Sequence, residues 1–194
     1  MAADTRQRMI DSAAVLVARH GSHGTSFSEV LEASGAPRGS LYHHFPQGKE
    51  QLVDAAVAAA GERSLTLLAD LEGVPAGEVA SRFLGMWRSL LTATDFGVGC
   101  AVAAVTVDAE SDALLERAGR VFRAWRSRLA ELLAVGGVGD DRAASLAALL
   151  IATSEGGVLL ARAERDLAVF DEVAAEAIAT IESAAGGAGG TLQP

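Results

Sequence analysis

The chain has 194 residues, a formal net charge of −9, half of its residues hydrophobic and a single cysteine. That length suits one or two compact domains with a core of their own, and one cysteine, Cys100, excludes an internal disulfide and any cysteine-based zinc site. The longest internal stretches without a charged residue, Phe96 to Val107 and Ala143 to Ser154, are 12 residues each, so no transmembrane helix and no membrane partner are expected. The N-terminus, MAADTRQRMID, carries charges where a secretory signal needs an apolar run, and the expected location is the cytoplasm.

Few aromatics, abundant Ala and Leu, and helical spacing of apolar residues nearly end to end predict an all-α protein of about nine helices. Ile10, Ala13, Ala14 and Val17 place a first helix over 4–20, with Gly21 as its stop. Ser26-Phe-Ser-Glu29 has capping-box spacing and opens a short helix from Phe27 to Ser34, closed by Gly35. Pro37 has the fixed φ of a first-turn residue and lacks the amide that such a position leaves unpaired, so a second short helix is expected from Arg38 to Phe45. Pro46-Gln-Gly48 breaks the chain again before a longer helix from Lys49 to about 72. Beyond Gly73-Val-Pro75, helices are expected near 76–94, 99–108, 112–135, 140–163 and 167–185, and the Gly-rich, uncharged segment 186–194 as a disordered tail.

The charge is unevenly placed. Residues 1–50 hold Arg6, Arg8, Arg19, Arg38 and Lys49 against Asp4, Asp11, Glu29, Glu32 and Glu50, so this part is neutral, carries all four histidines, and leaves the whole of −9 to the rest. An acidic body repels nucleic acid except through one designated surface. Two short helices joined by a tight Gly-containing turn, behind a supporting first helix, make a helix-turn-helix whose second helix enters the major groove. Leu41 and Phe45 lie four apart and share one face, expected to pack on Ile10, Phe27 and Val30. Arg38, Ser40, Tyr42, His43 and His44 occupy the remaining arc, where a cluster of donors calls for an acceptor surface. Adjacent His43 and His44 project about 100° apart and are not a pair of metal ligands.

At Gly35-Ala-Pro-Arg-Gly-Ser-Leu-Tyr-His-His-Phe45 the chain resembles the TetR family of repressors, and the resemblance extends from about Thr5 to Leu52. Gly-Ala-Pro-Arg-Gly-Ser is similar to the LmrA/YxaF-like branch of multidrug- and flavonoid-responsive regulators, while Leu31, Ser34, Pro37 and Pro-Gln-Gly before Lys49 depart from the broad family pattern. The resemblance implies that Arg38 and His43 reach base edges while Ser40, Tyr42, His44 and Lys49, the only lysine, anchor phosphates. Thr25 and Ser26 are expected as further phosphate contacts, and Gly39 as the point of close approach to DNA. It also implies a division into a DNA-binding domain at 1–50, linked by the fourth helix to a ligand-binding and dimerisation domain at 51–185.

In that second region the large side chains Phe83, Met86, Trp87, Leu90, Phe96, Cys100, Phe122 and Trp125 are the candidate lining of an apolar effector pocket, with Arg88, Thr106, Asp108, Ser154 and Glu155 as its polar groups. The stripes Leu146, Leu149, Leu150, Thr153, Gly157, Leu160 and Phe170, Val173, Ala177, Ile181 are the candidate four-helix dimer interface, with burial in the chain's own core as the competing reading. The expected protein is therefore a homodimer that binds a pseudo-palindromic, double-stranded operator and is released by a small, largely apolar or aromatic effector, controlling efflux or detoxification genes. No cofactor, no metal and no enzymatic activity are expected, since no nucleophile and base, phosphate loop or metal motif appears at recognisable spacing. The alternatives are a helical protein-binding module, or a thiol-dependent sensor or enzyme using Cys100.

Overall fold

The structure, a computed structural model, describes residues 2–109 and 111–187. Among them every regular element is a helix: α1 (Ala2–Gly24), α2 (Phe27–Ser34), α3 (Arg38–His44), α4 (Lys49–Ala69), α5 (Ala76–Ala93), α6 (Ala101–Asp108), α7 (Asp112–Val135), α8 (Asp140–Glu164) and α9 (Ala168–Gly187). Of the tail expected at 186–194, Gly186 and Gly187 close α9 and the remainder lies outside the described residues. The helices form two compact units, residues 1–63 with 100–122, and residues 64–99 with 123–194. This differs from the division expected between residues 50 and 51: α6 and the start of α7 pack with the helix-turn-helix, because α6 lies along α1.

In the first unit, α1 is interrupted at Gly21, whose φ of 77° and ψ of 175° leave the helical region, so the expected stop is present although three more residues turn beyond it. At α2 the Ser26 hydroxyl accepts from the Glu29 amide (3.2 Å) and the Ser26 amide donates to the Glu29 carboxylate (2.8 Å), the reciprocal box that satisfies two first-turn amides. Gly35 ends α2 in the left-handed region (φ 62°). Pro37 departs from its expected first-turn position: it is the N-cap of α3, with ψ at 139°, because a residue ahead of the first helical turn must remain extended. Proline offers no side-chain cap, and Ser34 holds the turn instead, accepting the Ala36 amide at 3.3 Å while the Ser34 carbonyl accepts from Arg8 Nε at 3.2 Å.

The core beneath these helices consists of Met9, Ile10, Val30, Leu41, Phe45 and Leu52, with Ala13, Ala14 and Ala56 filling between them and Phe27 half-buried against it. The expected partners of Leu41 and Phe45 are all there. The Arg6 guanidinium lies 5.3 Å from the centroid of the Phe45 ring, a cation–π contact that closes the edge of the core. Arg117 of α7 grips Asp54 of α4 with both nitrogens of a fork, at 2.6 and 2.8 Å, which raises the Arg117 pKa above its ordinary value.

In the second unit α8, α9 and α5 pack on one another. Gly157 lets α8 approach α9: a Cβ there would stand 2.9 Å from Cδ2 of Phe170 and 3.2 Å from Cγ2 of Val173. The loop after α5 places Asp95 and Phe96 both at positive φ (47° and 59°), and Arg162 of α8 steadies it by donating to the Phe96 carbonyl at 3.2 Å. The expectation that no segment could span a membrane needs correction. Around its 12-residue uncharged stretch α8 admits only sparse charges, so by length and composition it is long and apolar enough, with 44% of its most apolar 18 residues buried inside the protein. Its buried side packs against α9 and α5, while Leu149, Leu159 and Leu160 stay exposed.

The capping box yields a pH prediction. Hydrogen bonding from the Ser26 side chain, then from the Ser26 backbone, holds the Glu29 carboxyl below its ordinary value of 4.5. With the folded pKa below the unfolded one, the stabilisation is complete above the unfolded value and is lost as pH falls through the folded value. Thermal unfolding followed by circular dichroism from neutral pH downward should therefore show a shallower acid loss in Glu29→Gln than in the parent below pH 4.5. Superimposable profiles would contradict it.

Candidate nucleic-acid interface

The seven residues of α3 divide cleanly between two surroundings. Leu41 is buried at 1% exposure and Phe45 just beyond it at 0%, whereas Arg38, Gly39, Tyr42 and His43 are exposed and Ser40 and His44 half-buried. Tyr42, 68% exposed, rests the edge of its ring on Phe27 of α2 (centroids 6.3 Å apart, planes at 79°), an arrangement that orients the phenol without burying it. His43 and His44 point to different sides of the helix, yet their rings turn toward one another into edge contact at 5.0 Å. No group of His, Cys, Asp or Glu with metal-binding geometry occurs among the described residues.

Gly39 is informative because nothing inside the molecule requires it. Its φ is not positive, and a Cβ there would meet nothing within 4 Å. Glycine in a helix costs about 1 kcal/mol relative to alanine. An exposed helical position that gives up that stability to remain bare is suited to an external surface approaching closely.

Lys49 sits at the first position of α4 behind the turn at Gly48 (φ 87°), half-buried, with its Nζ donating to the His23 carbonyl at 3.2 Å. The ammonium has two further protons to offer. Ser26 is exposed, but its hydroxyl serves the capping box and donates to Glu29 at 2.7 Å. The Ser40 hydroxyl turns back on the Pro37 carbonyl at 2.6 Å, so a phosphate contact from it requires rotation about χ1. Thr25 corrects the sequence reading: it is 2% exposed and donates to the Gly21 carbonyl at 2.8 Å, so its side chain shapes the α1–α2 turn instead of facing a ligand.

The eight candidate effector residues do not fall in one compact unit. Phe83, Met86, Trp87, Leu90, Phe96 and Trp125 belong to the second, Cys100 and Phe122 to the first. Phe83 and Trp125 are buried; Met86, Trp87, Leu90, Phe96 and Phe122 are half-buried. Cys100, 7% exposed, has a local task, its sulfur accepting the Ala103 amide as the N-cap of α6. Four of the five polar candidates are otherwise engaged. Arg88 pairs with Asp171 through two bonds of 2.8 and 3.0 Å on the surface, Thr106 and Ser154 donate to carbonyls of their own helices, and Asp108 binds the α1–α2 turn. Glu155 of α8 has its Oε1 buried in mid-helix.

The candidate dimer residues split as well. Leu146, Leu150 and Gly157 of α8 and Phe170 and Ile181 of α9 are buried within the chain's own second unit, where α8, α9 and α5 pack on one another. They are core, which corrects their assignment. Leu149 (41% exposed) and Leu160 (42%) lie on the outer face with Leu159 (69%), which the sequence reading missed. Leu149, half-buried Thr153 and half-buried Val173 line an open groove of about 440 Å³ together with Glu172, Glu176, Thr180 and Ala177, which is buried at its floor. Ser22, His23 and Asp108 of the first unit form a hydrogen-bonded group not expected from the sequence, since only the folded chain brings residues 22 and 108 together.

Comparison with known proteins accords with this architecture. Residues 9–56 match the family described as bacterial regulatory proteins, tetR family, and residues 76–176 match the C-terminal domain of the LmrA/YxaF-like transcriptional regulators. An HTH-type transcriptional regulator of Mycobacterium tuberculosis is 42% identical over 87% of this chain and 89% of its own length. The HTH-type transcriptional regulator LmrA of Bacillus subtilis is 32% identical over 81% and 86%. Among solved structures, a TetR transcriptional regulator from Chloroflexus aurantiacus superposes with a TM-score of 0.77 at 29% identity, covering 93% of this chain and 95% of that one. With the helix-turn-helix at its head and an LmrA/YxaF-like second region, the chain belongs to the TetR family of DNA-binding transcriptional regulators, which are not enzymes.

Proposed function

We propose that the protein is a cytoplasmic, homodimeric repressor that binds a pseudo-palindromic operator and is released by a small, largely apolar or aromatic effector. The observation that carries this reading is α3: Leu41 and the capping Phe45 are consumed by the core while Arg38, Tyr42 and His43 stand in solvent beside a bare Gly39. Arg38 and His43 read base edges. Tyr42, His44 and Lys49 hold phosphates, with Ser40 joining on rotation and Ser26 supplying the exposed start of α2. In a dimer, two such helices must enter successive major grooves roughly 34 Å apart. The control of efflux or detoxification genes rests on the family resemblance alone.

Mobility shifts across a salt series, with the intergenic DNA upstream of the chain's own gene, test the DNA-binding half. The logarithm of affinity should fall linearly with that of salt, and Tyr42→Ala or Lys49→Ala should weaken binding to all sequences and flatten the slope by about one each. Arg38→Ala should chiefly relax preference, by roughly 1–3 kcal/mol at the contacted base. Gly39→Ala should leave the protein as stable or slightly more so while weakening binding. Salt-independent binding would sink the reading.

The outer face of α8 and the α8–α9 groove form the dimer surface in this proposal, since Leu149, Leu159 and Leu160 expose apolar area that a second copy would cover. Leu149→Asp should then shift the protein from dimer to monomer by light scattering while leaving its helical content intact. A dimer as tight as the parent's would place the interface elsewhere.

For the effector, Phe83, Met86, Trp87, Leu90 and Trp125 supply the apolar lining, and Glu155 the polar group that orients the ligand. Trp87 and Trp125 are the only two tryptophans, so planar aromatic compounds that quench protein fluorescence should also release DNA. Quenching without release would separate that site from regulation.

A further inference from the structure

The α1–α2 turn is held from outside by a single carboxylate. Gly21 leaves the helical region, so the regular helical ladder is interrupted just ahead of Ser22 and His23. Asp108, the last residue of α6, meets both residues. Its Oδ1 accepts the Ser22 hydroxyl at 2.9 Å, and its Oδ2 accepts the His23 amide at 3.1 Å. Ser22 is 6% exposed, so its hydroxyl has little access to water in place of this partner. The glycine at position 21 is required by its φ of 77°, and a Cβ there would also crowd the Asp108 carboxylate. A negative charge at a helix C-terminus opposes the dipole, so Asp108 is poorly placed for the stability of α6 itself. Its two accepted hydrogen bonds are what the position serves.

The carbonyl of the same His23 receives the Lys49 ammonium at 3.2 Å. His23 is therefore clamped at both ends of its backbone, by Asp108 on the amide and by Lys49 on the carbonyl. We propose that Asp108 is a positioning residue for DNA binding, setting the place of Lys49 through the His23 backbone. This rests on the reading of Lys49 as a phosphate contact. Without Asp108 the turn would lose its external acceptor, the His23 carbonyl would shift, and the ammonium would lose the anchor that holds its remaining protons toward DNA. The relay lies wholly within the first compact unit, so no domain movement is needed for it to operate.

A double-mutant cycle on the full chain tests it, with duplex DNA from the chain's own upstream intergenic region and an unrelated duplex of equal length, each across a salt series. Asp108→Ala and Lys49→Ala should each lower affinity on the order of tenfold and flatten the salt slope by about one, and the double variant should be no worse than either. Asp108→Asn, which keeps one acceptor oxygen, should recover part of the loss. A merely structural Asp108 would lower thermal stability but leave the slope alone. Additive losses, or an Asp108→Ala slope equal to the parent's, would overturn the relay while leaving Lys49 as a phosphate contact. A Lys49→Ala slope equal to the parent's would overturn both. If Asp108→Ala does not fold, Ser22→Ala removes one hydrogen bond of the pair and should give the same non-additive pattern with Lys49→Ala at roughly two- to threefold.

Discussion

A helix of seven residues has no stability of its own in water, since the nucleation cost of its first turn is not recovered over so short a length. The existence of α3 therefore depends on the burial of Leu41 and Phe45 against Met9, Ile10 and Val30. Leu41 within the helix and Phe45 at its C-cap supply the whole buried apolar face, and the other six residues of α3 stay exposed or half-buried. The reading surface is in this sense a by-product of the core: four-residue spacing fixes which arc is buried, and so which arc is presented. Around it stand devices that settle exposed backbone groups or end a helix: the Ser26–Glu29 box on two amides, Ser34 on the Ala36 amide, and Gly35 in the left-handed region.

Charge follows the same division of labour. The first fifty residues are neutral while the rest of the chain carries the whole of −9, so any long-range attraction to a polyanion must come from local arrangement. Arg38 and Lys49 stand at helix N-termini, where partial positive charge from unpaired amides adds to their own. Several arginines elsewhere face acids: Arg117 with Asp54, Arg88 with Asp171, Arg165 with Asp95. Pairing of this kind quenches positive potential away from the head, so the acidic body discourages nonspecific adhesion and leaves one face for DNA.

The features legible in the sequence are those set by neighbours in the chain. The capping box, Gly21, Gly35 and the ends of most helices follow from signals within a few residues, and the Arg38–Phe45 pattern follows from helical periodicity. What escaped was set by the tertiary fold. Thr25 has the composition of a phosphate contact, but its burial and its bond to Gly21 follow from how the turn closes. The grouping of α6 with α1 depends on a contact across some eighty residues, of which the Ser22–Asp108 bond is one instance. Cys100 carries no local sign that its sulfur caps a helix.

The hardest case is α8, where adjacent Leu149 and Leu150 project about 100° apart, one 41% exposed and the other 0%. Periodicity locates the buried side of a helix only when the other side is polar, and α8 is apolar around most of its circumference. Such a helix has three physical fates: a bilayer, a core buried on every side, or a core on one side with a protein partner on the other. Glu155, in mid-helix with a buried carboxylate oxygen, and Arg162, tied to the loop after α5, weigh against hydrocarbon. Three exposed leucines on one face exclude a fully internal helix. The third fate fits both observations, and it gives the uncharged outer stripe a purpose. The same helix that closes the chain's own core would also join it to a second copy, so changes in the packing of one face would be felt directly at the other.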